Sequence, residues 1–331
     1  MNYTPSTERY NSGMDYRRAG HSGVLLSALS LGLWHNFGTY DSFDTARAMM
    51  CYAFDSGITS FDLANNYGPP EGSAEETFGK LLDMDFRPYR DELFISTKAG
   101  HDMWQGPYGT WGGRKHLFAS LHQSLKRMRV DYVDVFYSHR YDPHTPLEET
   151  LQALIDIVRQ GKALYVGISK YPPQEAAKAY AYLRHANVPC LLHQGRLSML
   201  NRTPAEDGTL TQAQEAGSGF VAFSSLAQGL LTNRYLQGTV PADSRMSRGA
   251  FLKQETLTSD LLARLQQLND LAQERGETLA GLALAWVLHF KAVTSVVLGA
   301  SRVEQLKDSL KSLSATPLSE EELIRIENIL K

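Results

Sequence analysis

Short apolar runs rich in β-branched residues alternate along this chain with longer segments whose apolar positions recur at spacings of three and four. The first pattern predicts buried strands, the second amphipathic helices. The predicted strands are Leu29–Trp34, Ser60–Asn65, Leu93–Ala99, Val133–His139, Ala163–Ser169, Cys190–Leu197, Gly219–Ser225 and Thr294–Gly299. Between them, Ser73-Ala-Glu-Glu76, Thr145-Pro-Leu-Glu148, Ser301-Arg-Val-Glu304 and Ser319-Glu-Glu-Glu322 have the hydroxyl-to-carboxylate spacing of a capping box, which marks a helix start. Pro146 suits a first helical position, where its missing amide hydrogen costs nothing.

Eight strand-helix units without a Pro/Gly/Ser-rich linker predict one α/β domain over residues 1–331, a (β/α)8 TIM barrel, because parallel strands need crossovers and right-handed crossovers wrap helices around the outside. A doubly wound sheet ranks second, since it usually has fewer strands and a phosphate loop after the first. Residues 1–13 are expected to form a loose tail. Met14–Leu26, with Gly20-His-Ser-Gly23 at its centre, predicts a β-hairpin that plugs the barrel bottom. Ser224–Glu255 is too long for an ordinary connection, and such loops usually serve function.

Composition narrows the classes. Lys plus Arg number 33 against 36 Asp plus Glu, a net charge of -3, without the basic excess that binding to a nucleic-acid backbone exploits. Cys51 and Cys190 are the only cysteines, too few for a disulfide framework or a thiolate metal cluster, and are expected to be buried thiols in a reducing compartment. No apolar run has the length of a signal peptide at the start, and Leu279–Leu288 is too short to span a bilayer, so a cytoplasmic location is expected. Gly217-Ser-Gly-Phe-Val-Ala222 matches a relaxed dinucleotide pattern but precedes a strand, so it reads as a turn.

In a barrel of this kind, reactive residues sit at the C-terminal ends of strands. Asp62, Lys98 and His139 are polar residues at or near the ends of apolar strands, with Tyr67 in the loop just after the second. Each alone has a structural explanation: a surface ion pair for Asp62 or Lys98, a core position for Tyr67, a satisfied core histidine for His139. Together they form one layer.

These residues resemble a known family. Asp62-Leu-Ala-Asn-Asn-Tyr67-Gly, the strand-end Lys98 and His139, Val166-Gly-Ile-Ser169, His193-Gln194 and Val297-Leu-Gly-Ala-Ser301 are similar to the aldo-keto reductase superfamily over roughly residues 14–330. Asn65-Asn-Tyr-Gly-Pro-Pro-Glu-Gly-Ser-Ala-Glu-Glu76 and Tyr137-Ser-His-Arg140 are most similar to its bacterial L-glyceraldehyde 3-phosphate reductases, relatives of the potassium-channel β subunits. The resemblance implies NADPH-dependent reduction of small aldehydes, L-glyceraldehyde 3-phosphate and α-oxoaldehydes such as methylglyoxal among them. It implies no metal. Tyr67 would donate the proton, Lys98 would lower its pKa, Asp62 would hold Lys98, and His139 would orient the carbonyl. A cofactor-binding regulatory subunit like the channel β subunits, with weak residual activity, is the alternative; it commonly carries Asn where this chain has His139. Homotetramers or homo-octamers are implied by the same relatives.

The resemblance also implies a cofactor path. Ser169 and Gln194 match positions that bind the carboxamide, Phe223 the position that stacks on the nicotinamide, and Trp34 a position over cofactor and substrate. Ser224, Leu226, Gln228, Gly229, Leu230 and Thr232 would wrap the pyrophosphate, and Gly299, Ser301 and Gln305 would meet the adenosine end. Arg234, Arg245 and Arg302 are the candidates for a 2′-phosphate. Trp104 and Tyr108, in the loop after strand three, would add an aromatic wall against water around the substrate.

Overall fold

In the computed structural model, residues 3–236, 238, 253–314 and 316–331 are described. A short antiparallel pair, β1 (Tyr16–Arg18) and β2 (Leu25–Ser27), precedes eight parallel strands: β3 (Leu29–Gly32), β4 (Ser60–Asp62), β5 (Phe94–Ala99), β6 (Val133–Ser138), β7 (Ala163–Ser169), β8 (Cys190–Arg196), β9 (Gly219–Phe223) and β10 (Val293–Leu298). The eight close into a barrel in chain order, with β10 pairing both β9 and β3. This is a (β/α)8 TIM barrel, and the doubly wound sheet is set aside. Several strands stop one to three residues short of the expected ends, so Trp34, Asn65, His139, Ser225 and Gly299 lie just past their strands. These are loop positions at the barrel mouth.

Helices between the strands bury their apolar stripes against the outside of the sheet. The helix Leu147–Arg159, for example, buries Leu151, Leu154, Ile155 and Ile157. Of the four expected capping boxes only Ser319 with Glu322 forms. At the other three starts the helix begins one residue later than the hydroxyl requires (Thr145, Ser301) or one earlier (Ser73). Gly72 is the cap before Ser73, whose hydroxyl donates to the carbonyl of Pro70; Pro146 is the cap before Leu147, not the first helical residue; and Arg302, not Ser301, caps Val303–Leu310. Ser42, Thr258 and Thr278 cap their helices through side-chain oxygens without a carboxylate three residues on.

The hairpin closes the barrel bottom. Its Ala19 and Leu26 are buried in one cluster with the interior side chains Val135, Tyr137, Leu192 and Val221. Gly20 turns there with φ +52°, and a Cβ at that position would sit 2.0 Å from the carbonyl oxygen of Gly217. Only glycine fits this approach. The segment expected as a loose tail is fastened from Tyr3 onward: the Tyr3 hydroxyl (2.8 Å) and the Ser6 amide (2.7 Å) both donate to Asp55, and Arg9 pairs with Glu92 at 2.7 Å. Cys190 is buried and Cys51 half-buried, and both are free thiols. Among the described residues no helix is long and apolar enough to cross a membrane.

Candidate active site

The C-terminal ends of the strands bring Asp62, Tyr67, Lys98 and His139 into one cluster. Lys98 is fully buried, a position an ammonium tolerates only when its hydrogens are taken up. Its Nζ donates to Asp62 Oδ2 at 2.7 Å, to the Leu63 carbonyl at 2.6 Å and, more weakly, to the Tyr67 hydroxyl at 3.4 Å. All three donors are thereby directed. Asp62 Oδ1 accepts from Ser96 Oγ at 2.8 Å and from Gln194 Nε2 at 2.9 Å, so strands β4, β5 and β8 are tied together beneath the mouth. Behind Lys98, the neighbouring Thr97 hydroxyl donates to the buried Glu75, which Arg127 neutralises at 2.8 Å.

Burial works against the charge on Lys98 and lowers its pKa, while Asp62 opposes that shift. The Tyr67 phenol was expected to be lowered by the ammonium. It is instead pushed well above its ordinary value, first by burial and then by the negative Asp62. The carboxylate that holds Lys98 also offsets the ammonium as seen from Tyr67. The result is a phenol that keeps its proton. His139 is buried, and burial followed by the positive charges of Lys170, Lys98 and Arg140 drives its pKa well below the ordinary value, so its ring is neutral. Its Nδ1 has no hydrogen-bond partner. The rings of His139 and Tyr67 meet edge to face with centroids 6.0 Å apart, and Trp34 lies 6.3 Å from Tyr67 on another side.

Around this cluster the structure leaves buried polar atoms without partners: Ser169 Oγ, Ser225 Oγ, Gln228 Oε1 and the Asn65 side-chain amide. Buried polar groups are normally satisfied, so such a concentration at one end of a barrel points to a polar ligand that completes them. Ser224, Ala227 and Gln228 hold left-handed backbone conformations immediately after β9 (φ 56°, 46° and 58°), a strained turn in which the amides of Ala227, Gly229, Leu230 and Leu231 donate to carbonyls of the turn itself. Thr232 folds back to donate to the Gly229 carbonyl at 2.6 Å. Leu226 is partly exposed beside this turn, whereas Leu230 is buried against Tyr235 and offers only backbone. Phe223 ends β9 in register with Val297 of β10. Gly299 and Ser301 are exposed beyond β10, and Gln305 Oε1 accepts from the Ser301 amide at 2.8 Å. Arg234 is partly exposed and Arg302 exposed, while Arg245 lies outside the described residues. A dinucleotide fits these residues: the orphaned Ser169 hydroxyl, a strained turn carrying the orphaned Ser225 and Gln228 oxygens, then Arg234 and Arg302.

Trp104 and Tyr108 lean on the helix that follows their loop. The Trp104 ring packs 4.9 Å from His116, and the Tyr108 ring is 55% exposed with the Lys115 ammonium 5.0 Å from its centroid. Both described contacts are to the helix Arg114–Met128 that follows the loop. Trp111 stacks under the Arg140 guanidinium at 3.7 Å.

Two further residues of the layer, His101 and Lys170, escaped the sequence reading. The His101 ring stands edge-on to His139 at 4.5 Å, and its Nε2 lies 2.9 Å from Lys170 Nζ. The signal was present: Lys170 directly follows Ser169 at the end of β7, and His101 lies two residues past β5.

With a Tyr-Lys-Asp-His cluster at the barrel mouth, the comparison with known proteins becomes decisive: a model described as the aldo/keto reductase family matches residues 28–331. The chain belongs to the aldo/keto reductase family. It is an oxidoreductase. It is 53% identical to a protein named L-glyceraldehyde 3-phosphate reductase from Escherichia coli strain K12, over 99% of this chain and 95% of that protein. It is 34% identical to a probable voltage-gated potassium channel subunit beta from Oryza sativa subsp. japonica (96% of this chain, 97% of that protein) and 35% identical to its namesake from Arabidopsis thaliana (92% and 93%).

Proposed function

We propose that this aldo/keto reductase uses NADPH to reduce small aldehydes, with L-glyceraldehyde 3-phosphate and methylglyoxal-like α-oxoaldehydes as substrates, and that Tyr67 is the general acid. The observation that carries the reading is the Tyr67 hydroxyl, set 3.4 Å from a fully buried Lys98–Asp62 ion pair and beside a neutral, buried His139.

The cofactor, when bound, supplies the hydride. The carbonyl carbon gains that electron pair, the C=O π pair moves to oxygen, and the Tyr67 hydroxyl gives up its proton to the oxygen, leaving a phenolate. A high phenol pKa does not obstruct this step, because an alkoxide is a far stronger base than a phenolate and the transfer runs downhill. Lys98 then donates to the phenolate oxygen and holds the negative charge. His139, neutral, donates one ring N–H to the carbonyl oxygen and aims it at Tyr67. Asp62 keeps Lys98 in place. Ser169 and Gln194 would hold the carboxamide, Phe223 and Trp34 would flank the nicotinamide, residues 224–232 would take the pyrophosphate, and Ser301, Gln305 and an arginine would take the adenosine and its 2′-phosphate.

The test measures NADPH oxidation with an aldehyde panel for wild type and Tyr67→Phe. The variant is expected to lose roughly 100- to 10,000-fold in kcat, the usual worth of a general acid, while still binding NADPH. Tighter binding of NADH than NADPH would remove the cofactor assignment. The likeness to channel β subunits supports a second reading, a cofactor-binding regulatory subunit. Equally slow turnover by wild type and Tyr67→Phe would favour it.

A further inference from the structure

The mouth carries a positive group that the reduction does not use. Lys170 leaves the end of β7 in a left-handed conformation, φ 55°, with its amide donating to the Gln194 carbonyl at 3.1 Å. For a residue with a Cβ this conformation is strained, and such strain persists where the surroundings impose it. The side chain reaches His101, with Nζ and Nε2 2.9 Å apart, and His101 in turn stands edge-on to His139 at 4.5 Å. Burial, then Lys170 and Arg140, pushes the His101 pKa down to about 4. Its ring is therefore neutral and accepts one hydrogen from the ammonium, which leaves two for a ligand.

No carboxylate pairs with Lys170 among the described residues. Lys170 is exposed; the packing around it first, and then the positive charges of Lys98, Arg140 and Arg196, lower its pKa to about 8. Arg140 is otherwise engaged: it donates to the Gly100 carbonyl at 2.9 Å, lies over Trp111, and approaches the exposed Asp102 at 4.0 Å. Arg196, at the end of β8, has no ion pair among the described residues. Lys170 and Arg196 thus add positive charge to the mouth without an ion pair of their own among the described residues, and like charges raise each other's cost. An anion removes that cost.

We propose that Lys170, held by His101 and assisted by Arg196, is the subsite that takes the phosphate of a phosphorylated aldehyde whose carbonyl lies at Tyr67 and His139. The inference rests on the aldehyde-reductase reading above and assigns its substrate selectivity. Distance fits the chemistry: Lys170 stands one imidazole beyond His139, so a short carbon chain separates the reacting carbonyl from the anionic group.

The experiment compares L-glyceraldehyde 3-phosphate with L-glyceraldehyde for wild type, Lys170→Met and Lys170→Arg, with NADPH affinity measured for each. In Lys170→Met the preference for the phosphorylated substrate is expected to fall about tenfold or more, the worth of a charge-assisted hydrogen bond, through KM rather than kcat. Lys170→Arg is expected to retain most of that preference. Inorganic phosphate should compete with L-glyceraldehyde 3-phosphate, and not with L-glyceraldehyde, in wild type and lose that effect in Lys170→Met. Three results would overturn the proposal, and they differ. A wild type without preference removes the phosphorylated substrate itself, and the subsite with it. A preference retained in Lys170→Met removes only the subsite. A Lys170→Met protein that loses NADPH affinity and both substrates in proportion makes Lys170 a cofactor contact instead.

Discussion

Replacing Lys98 by methionine keeps the stem and removes the ammonium, which strips a 2.7 Å partner from Asp62, a 2.6 Å donor from the Leu63 carbonyl and the 3.4 Å donor from Tyr67. At 2.7 Å and an effective dielectric of about 20, the attraction between Lys98 and Asp62 is on the order of 6 kcal/mol. Desolvation offsets much of that for the intact pair, but Asp62 stays buried in the variant with its charge uncompensated, so the net loss should approach the ~3–5 kcal/mol seen when one partner of a buried pair is deleted. Urea unfolding at neutral pH measures it. Asp62→Asn should also destabilise, and the double variant Asp62→Asn/Lys98→Met should be less destabilised than the sum of the two, because no buried charge is then left alone. Activity should fall to background in all three. A Lys98→Met protein within about 1 kcal/mol of wild type would refute the account, as would strictly additive losses in the cycle.

Ser169→Ala deletes a buried hydroxyl that has no partner in the free protein, so unfolding free energy should be unchanged or higher, while NADPH affinity weakens by about 1 kcal/mol, read by fluorescence titration. Loss of stability without loss of affinity would make Ser169 purely structural. The pH dependence follows from histidines held neutral: burial lowers His193 to about 4 and His101 to about 4, and lowers His139 well below its ordinary value. The unfolded chain protonates these rings as pH falls below about 6.5 and the folded chain does not, so stability should be full above pH 7 and should fall from about pH 6.5 toward 4, by at most ~1.4 kcal/mol per pH unit per histidine. A urea midpoint that is flat between pH 7 and 5 would count against neutral histidines.

The fold was legible because the barrel strands are mostly buried on both faces and read as short runs dominated by apolar residues, so all eight could be located. Strand ends were less so, since the Asn65 and His139 amides, past the ends of β4 and β6, still donate to the neighbouring strand at the Lys98 and Ala99 carbonyls, 2.9 Å each. Helix starts were misread where local chemistry competes: Ser73 spends its hydroxyl on the Pro70 carbonyl, and a glycine takes the cap. Asp62, Lys98 and His139 stood out as polar residues closing apolar strands. Lys170 did not, because a lysine after a strand ordinarily reads as solvated surface, and only the three-dimensional neighbourhood reveals that the charges acting on it are positive. The direction of the Tyr67 shift was also beyond the sequence, since it depends on how far Asp62 cancels Lys98 at the phenol oxygen.

The hairpin at the barrel bottom divides the molecule into two ends with different tolerances for change. Around Gly20 and Gly217 the packing admits no added atom. At the opposite end, unpartnered hydroxyls and amides and the left-handed Ser224 and Gln228 impose costs that only a bound ligand relieves. Sequence drift at the mouth can therefore move the enzyme from one substrate to another while the floor keeps the barrel closed. Diversification of substrate range should accumulate in the loops after β5, β7 and β9, with the floor changing slowly beneath them.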